Sequence, residues 1–137
     1  MGLYLCILDK ETEIDGIDVG SYQDYNDFID TVVTFCENKE KGSVFPILTL
    51  HHDSDGTWTT AECIVLKEYF QAIKKQLKQE NPIIYSNNWK ENVLKESQII
   101  PINLDESFFD VNGNNLIDRL IALCNLSIEK DLPIVFQ

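Results

Sequence analysis

The stretch from His51 to Glu62 carries the sharpest chemical pattern in this sequence. Laid on a calcium-binding loop, Asp53 takes the third position, Asp55 the fifth and Glu62 the twelfth, with a glycine at the sharp turn. The first position fails, because His51 stands there and imidazole is a poor ligand for a hard cation. The same residue types also suit a turn that leads into a capped helix, and we favour that interpretation over a calcium site.

His51 and His52 are the two histidines of the chain. Adjacent residues of an extended segment point to opposite sides, so the pair does not suit one zinc ion. His51 with Asp53 would allow acid–base chemistry, but no nucleophile motif, phosphate-binding loop or metalloprotease motif accompanies them. We therefore expect neither an enzyme nor a cofactor, and an enzyme that uses these two residues is the weakest hypothesis.

Acidic residues are concentrated between Asp9 and Asp30, and the whole chain has 23 acidic against 11 basic residues, a net charge of −12. This balance argues against nucleic acid or an anionic membrane as the partner, because proteins bind both through Lys and Arg. The run is either a solvated face or a surface that attracts a basic protein. The candidate partner-binding residues are Asp15, Asp18, Asp24, Asp27, Asp30, Asp53, Asp55 and Trp58.

Hydrophobic periodicity predicts the elements that position these residues. Helices are expected to begin after Ser21, near Thr60 and near Asn115, with apolar residues at helical spacing in each. On the first helix, Asp24, Asp27 and Asp30 are expected on the polar face, open to a partner. Apolar runs predict strands at Leu3–Leu8, Ile14–Val19, Val44–Leu50 and Leu132–Phe136, while 83–85 and 99–104 allow short strands and 89–94 a helical turn.

These elements predict one α+β domain over residues 1–137, with a mixed β-sheet of about four to five strands packed against three main helices. The two terminal strands are both strongly apolar and are expected inside the sheet, as neighbours. The four cysteines are far apart with no paired motif, which predicts reduced, buried thiols. The apolar start has no basic leader and no stretch is long enough to cross a bilayer, so we expect a cytoplasmic protein.

Several segments together resemble a known family. They are Gly2–Cys6, then Val19–Tyr22 leading to Phe28, then Phe45–Trp58 with Glu62 and Cys63, and the ending Leu132–Gln137. They are similar to the bacterial immunity proteins of polymorphic toxin systems, in the family numbered seventy. The resemblance covers nearly the whole chain outside residues 80–104, and departs at His52, where serine is expected.

The resemblance implies a cytoplasmic α+β protein that binds and blocks a toxin domain made by the same cell or its kin. It carries over no catalytic residue and does not identify the toxin. Together with the acidic charge, it leads us to expect a basic toxin surface, such as one that handles nucleic acid. The oligomeric state is left open.

Overall fold

The computed structural model describes residues 2–53, 55–84 and 88–137, without the side chain of Asn88. Its chain opens with the antiparallel hairpin of β1 (Gly2–Asp9) and β2 (Thr12–Ser21). The predicted first strand is confirmed, although burial on both faces holds only in part. Leu5 and Cys6 are fully buried, whereas Tyr4 and Leu8 are half-buried.

Two further short strands, β3 (Thr57–Trp58) and β4 (Ile134–Phe136), complete a sheet with the order β2-β1-β4-β3. The two terminal strands, β1 and β4, are neighbours inside it, as predicted. Every pairing of the described strands is antiparallel, so the expectation of a mixed sheet is wrong. A tight hairpin joins β1 to β2, and no described strand continues through a crossover helix into a parallel neighbour.

All three main helices are confirmed as α1 (Tyr22–Cys36), α3 (Thr60–Leu77) and α5 (Leu116–Lys130). Capping explains where each begins. Ser21 and Asp24 form a reciprocal capping box on α1, and Thr59 and Glu62 form another on α3, while the Asn115 side chain caps α5. These side chains satisfy backbone N–H groups that the first turn of a helix leaves without a partner.

Helices α1 and α5 both contact the sheet, and α3 packs against both of these helices. The buried side chains form one core that joins Leu5 of β1, Phe28 of α1, Phe70 of α3 and Leu120 of α5. The fold class α+β is therefore confirmed. Each of the four cysteines is free, and Cys6, Cys63 and Cys124 are buried.

The strand predicted at Val44–Leu50 is wrong, because a short helix, α2 (Pro46–Thr49), lies there. Upstream, the buried carboxylate of Glu37 accepts backbone hydrogen bonds from Gly42, Val44 and Phe45 at 3.1, 3.0 and 2.7 Å. These N–H groups are thus turned towards one carboxylate instead of a neighbouring strand. Pro46 then occupies the first turn of the helix, where a missing N–H costs nothing.

The described residues of 83–85 and 99–104 form no strand, and Tyr85 lies outside the described chain. The helical turn near Trp89 is confirmed and extends to α4 (Asn88–Glu96). A 3₁₀ turn follows at Asp105–Ser107. The backbone N–H groups of Ile83 and Leu104 donate to the Ser107 hydroxyl and the Glu80 carbonyl, at 3.1 and 3.0 Å, in place of a strand ladder.

Candidate interaction surface

Apart from Asp24, four of the predicted partner-binding carboxylates lie on α1 and on the loop that follows α2. The Asn26 amide donates to Asp53 at 2.9 Å and so ties this loop to α1. Asp30 is one helical turn beyond Asn26 and exposed, and Asp27 beside it is half-buried. Asp55 is exposed on the same loop as Asp53. We call Asp27, Asp30, Asp53 and Asp55 the α1 acidic surface.

His52 is the basic group that the structure places beside these loop carboxylates. Its Nδ1 lies 3.4 Å from Asp55 and 3.9 Å from Asp53. All three side chains are at least partly open to solvent, so their mutual attraction contributes little to folding. The arrangement leaves a net negative surface when the imidazole is neutral.

Asp15 and Asp18 of β2 differ in how far their charge is available. Arg119 of α5 neutralises Asp15 with contacts of 3.1 and 3.3 Å, and the same guanidinium donates to the Gly16 carbonyl. Asp18 is exposed and accepts the Gly20 N–H at 3.0 Å. Asp18 therefore keeps an open negative charge, whereas Asp15 is engaged within the fold.

The expectation that Asp24 is open to a partner is wrong, because its side chain is buried. It accepts the Ser21 N–H at 2.7 Å and the Trp89 indole N–H at 3.0 Å, and it lies 3.2 Å from the Lys90 ammonium. Burial by itself raises the pKa of Asp24, but the bonds from Ser21 and Trp89 and the Lys90 charge outweigh it, so this pKa lies below its usual value. Asp24 thus joins α1 to α4.

Trp58 is also unavailable to a partner, since no part of its side chain reaches solvent. Its ring packs edge-on against Phe136 at 4.8 Å and against Phe70 at 6.2 Å between centroids. Trp58 therefore joins the sheet to α3 as a core residue. The sequence pattern did not predict this burial, because Trp58 lies in a two-residue strand and not in a periodic helix.

His51 is held within its own loop. Its ring stacks on Phe136 at 4.2 Å. Nδ1 lies 2.6 Å from the His52 carbonyl oxygen and Nε2 lies 3.1 Å from that of Thr57. Both ring nitrogens face backbone acceptors, so neither is directed to a substrate, and the geometry lends no support to the enzyme that uses His51 and Asp53.

The calcium hypothesis for Asp53, Asp55 and Glu62 also gains no support. The Glu62 carboxylate accepts the Thr59 N–H at 3.0 Å, and the Glu62 N–H donates to the Thr59 hydroxyl at 3.1 Å. The helix-cap interpretation of this pair is confirmed. Among the residues that the structure describes, no three His, Cys, Asp or Glu side chains come together as a metal site; Ser54 lies outside them.

The structure also exposes an apolar surface that the sequence did not predict. Ile84, Ile100 and Ile102 have 61%, 81% and 74% of their surface open to solvent, and Ile83 is partly open. The segment of Ile83 and Ile84 meets the segment of Ile100 and Ile102, because Ile83, Ile84 and Pro101 line one narrow cleft. We call Ile83, Ile84, Ile100 and Ile102 the isoleucine surface. The paired isoleucines could have indicated this surface, but they are equally typical of buried strands.

Comparison with known proteins identifies a family. A protein-family model described as immunity protein 70 matches residues 3–136, nearly the whole chain. Searches of curated proteins and of solved structures each found no match. Within the described ranges, no helix combines the length and the apolar character that a bilayer crossing requires.

Proposed function

The chain belongs to the immunity protein 70 family, and from this membership we propose that it binds a cognate bacterial toxin domain and neutralises it one-to-one. The family match over residues 3–136 carries the proposal. We infer further that the protein works in the cytoplasm, by occlusion and not as an enzyme. Stoichiometric occlusion needs surface complementarity alone, so it requires neither a cofactor nor turnover.

The charge of the chain supports a basic toxin surface as the target. The net charge of −12 attracts a cationic partner over a distance, and the α1 acidic surface concentrates four of the carboxylates. Opposite fields on two proteins speed their encounter more than they tighten the final complex. On this proposal, the α1 acidic surface steers the toxin, with Asp18 as a further open charge.

Co-expression with the toxin domain encoded beside this chain tests the function itself. We expect growth to be restored, and the purified proteins to form a complex of one chain per toxin domain. Toxin activity should fall in proportion to added chain and vanish at equivalence. A fraction of an equivalent that silences the whole toxin would instead indicate turnover, and growth that stays arrested while both proteins are made would remove the immunity function.

A charge-reversal pair tests the steering role. The variant Asp30→Lys with Asp55→Lys reverses two exposed charges of the α1 acidic surface. The matched control, Glu68→Lys with Glu129→Lys, makes the same change in net charge on the exposed sides of α3 and α5. We expect the association rate at low salt to fall about tenfold in the first variant and at most about threefold in the control.

Dissociation rates should change less than association rates in both variants. The difference between variant and control should shrink as salt rises, because the Debye length falls from about 10 Å at 0.1 M to about 3 Å at 1 M. Equal slowing in the two variants would mean that net charge alone matters, and would move the contact away from α1.

A further inference from the structure

We propose that the isoleucine surface is the docking site for the toxin domain, and that it receives an apolar segment flanked by lysine or arginine. This inference rests on the proposed function and adds the contact that holds the complex after encounter. The α1 acidic surface acts over a distance, whereas apolar contact acts only when the two surfaces touch.

The first support is that all four isoleucines are exposed on two segments that meet, since Pro101, between Ile100 and Ile102, lines one cleft with Ile83 and Ile84. Single exposed aliphatic residues are ordinary on proteins, but a contiguous group of them marks a binding surface. Ile100 and Ile102 keep 81% and 74% of their surface in water, and Ile84 keeps 61%. Each leaves apolar area in water that a partner can bury on contact, and burial of that area favours binding.

The second support is that the fold anchors both segments from behind. The Ser107 hydroxyl, itself buried, accepts the Ile83 N–H, and the Glu80 carbonyl accepts the Leu104 N–H. The Ile99 N–H donates to the Leu94 carbonyl at 3.0 Å. These bonds hold the backbone while the isoleucines stay outside, so a partner meets a surface that is already organised and pays less ordering entropy.

The third support is the shape beside the isoleucines. The narrow cleft between Ile83, Ile84 and Pro101 ends on Phe109. Phe109 also lines a neighbouring cavity of about 120 Å³, together with Ile99 and Glu106. A carboxylate beside an apolar wall suits a lysine or arginine side chain, whose methylenes pack while its charge pairs.

The fourth support is the charge around the surface. Two charged side chains of this region are already neutralised inside the fold, since Asp105 pairs with Lys74 and Lys90 pairs with Asp24. Among the described residues of 80–107, the charges that remain open or half-open are those of Glu80, Glu91, Glu96 and Glu106 against Lys95. An excess of carboxylates in the segments that carry the exposed isoleucines fits a basic partner. A second copy of this chain would bring the same excess of negative charge, which disfavours self-association.

The test compares two pairs of exposed apolar residues. The variant Ile100→Ser with Ile102→Ser removes the most exposed part of the isoleucine surface. Its matched control, Ile64→Ser with Val65→Ser, removes exposed apolar side chains from α3, which are 53% and 37% open. Both variants should melt close to the unchanged chain, because side chains this exposed contribute little to folding.

We expect the dissociation constant for the toxin domain to rise about 30-fold or more in the first variant, the size of a binding hot spot, and about threefold or less in the control. Glu106→Gln should weaken binding less, with a loss that salt reduces.

Equal binding by the unchanged chain and the Ile100/Ile102 variant would overturn the docking site while leaving the proposed function intact. A toxin domain that fails to bind even the unchanged chain would remove both. Sedimentation tests whether a second copy of this chain occupies the surface instead. A dimer of the unchanged chain that is lost in the Ile100/Ile102 variant would show self-association and overturn toxin docking.

Discussion

The sheet with its main helices and the described residues of 80–107 are held in place by different interactions. In the sheet, Leu5 is fully buried and β1 shares ladders with β2 and β4. In the segment 80–107, single contacts such as the Ile83 N–H to Ser107 hold the backbone, while Ile100 stays in water. The first region obtains stability from burying apolar area, whereas the second leaves apolar area exposed.

The same contrast appears between two carboxylates of α1. Asp24 accepts two hydrogen bonds from Ser21 and one from Trp89, and it lies beside the Lys90 ammonium. Its charge is therefore satisfied within the fold. Asp30, less than two turns further on, is exposed. Their roles differ because Trp89 and Lys90 of α4 reach Asp24, whereas Asp30 is open to solvent.

The largest effect is expected from placing a charge in the first region. Leu5→Asp would put an unpaired carboxylate in a fully buried position of a central strand. We expect a loss of more than about 4 kcal/mol, enough to unfold most domains of ordinary stability. Circular dichroism and thermal melting measure it.

Leu50→Asp is the matched control, because Leu50 is 61% exposed and should tolerate the charge within about 1 kcal/mol. A soluble Leu5→Asp variant that melts like the unchanged chain would contradict the placement of β1 in the core.

Periodic elements were predictable, since each has a pattern that burial alone explains. Helices α1, α3 and α5 combine apolar spacing with a capping side chain at the start. The terminal strands were predictable as neighbours because both are strongly apolar and so belong inside the sheet. These inferences needed only residues that lie close together in the chain.

The errors have different physical causes, and in each of them the local pattern lacks the information that decides the outcome. The Val44–Leu50 prediction failed because Glu37 captures the backbone ahead of it. Asp24 is hidden by Trp89, which lies 65 residues away. The isoleucine surface was missed because a run of isoleucines describes a buried strand and an open binding surface equally well.

An intermediate effect is expected from Glu37, the buried carboxylate that organises the loop before α2. Glu37→Gln keeps the shape of the side chain but removes the charge that three backbone N–H groups share. We expect a loss of about 1–3 kcal/mol at neutral pH. Glu40→Gln, an exposed change in the same segment, should cost less than about 0.5 kcal/mol.

The stabilisation by Glu37 should depend on pH. Burial raises the pKa of Glu37, but the bonds from Phe45, Val44 and Gly42 outweigh it, so the folded pKa lies below the usual 4.5. The stabilisation is therefore fully present above pH 4.5 and lost as pH falls through the folded pKa. Urea unfolding across that range should show a smaller loss in Glu37→Gln than in the unchanged chain; equal losses would contradict the role of this carboxylate.

The smallest effect is expected at Glu62, where the helix-cap and calcium interpretations differ in outcome. As one half of the capping box on α3, Glu62→Ala should cost about 0.5–2 kcal/mol, whereas Glu68→Ala in the middle of the same helix should be close to neutral. Millimolar calcium should not change the melting temperature of the unchanged chain or of Asp55→Ala. A cation that bound only the folded state would raise that temperature. A calcium-dependent rise that Asp55→Ala abolishes would restore the metal site and would mean that the loop beside α1 exchanges its contacts for a cation. Without that rise, the loop carboxylates remain available as negative charge, which is the property that the steering role of the α1 acidic surface requires.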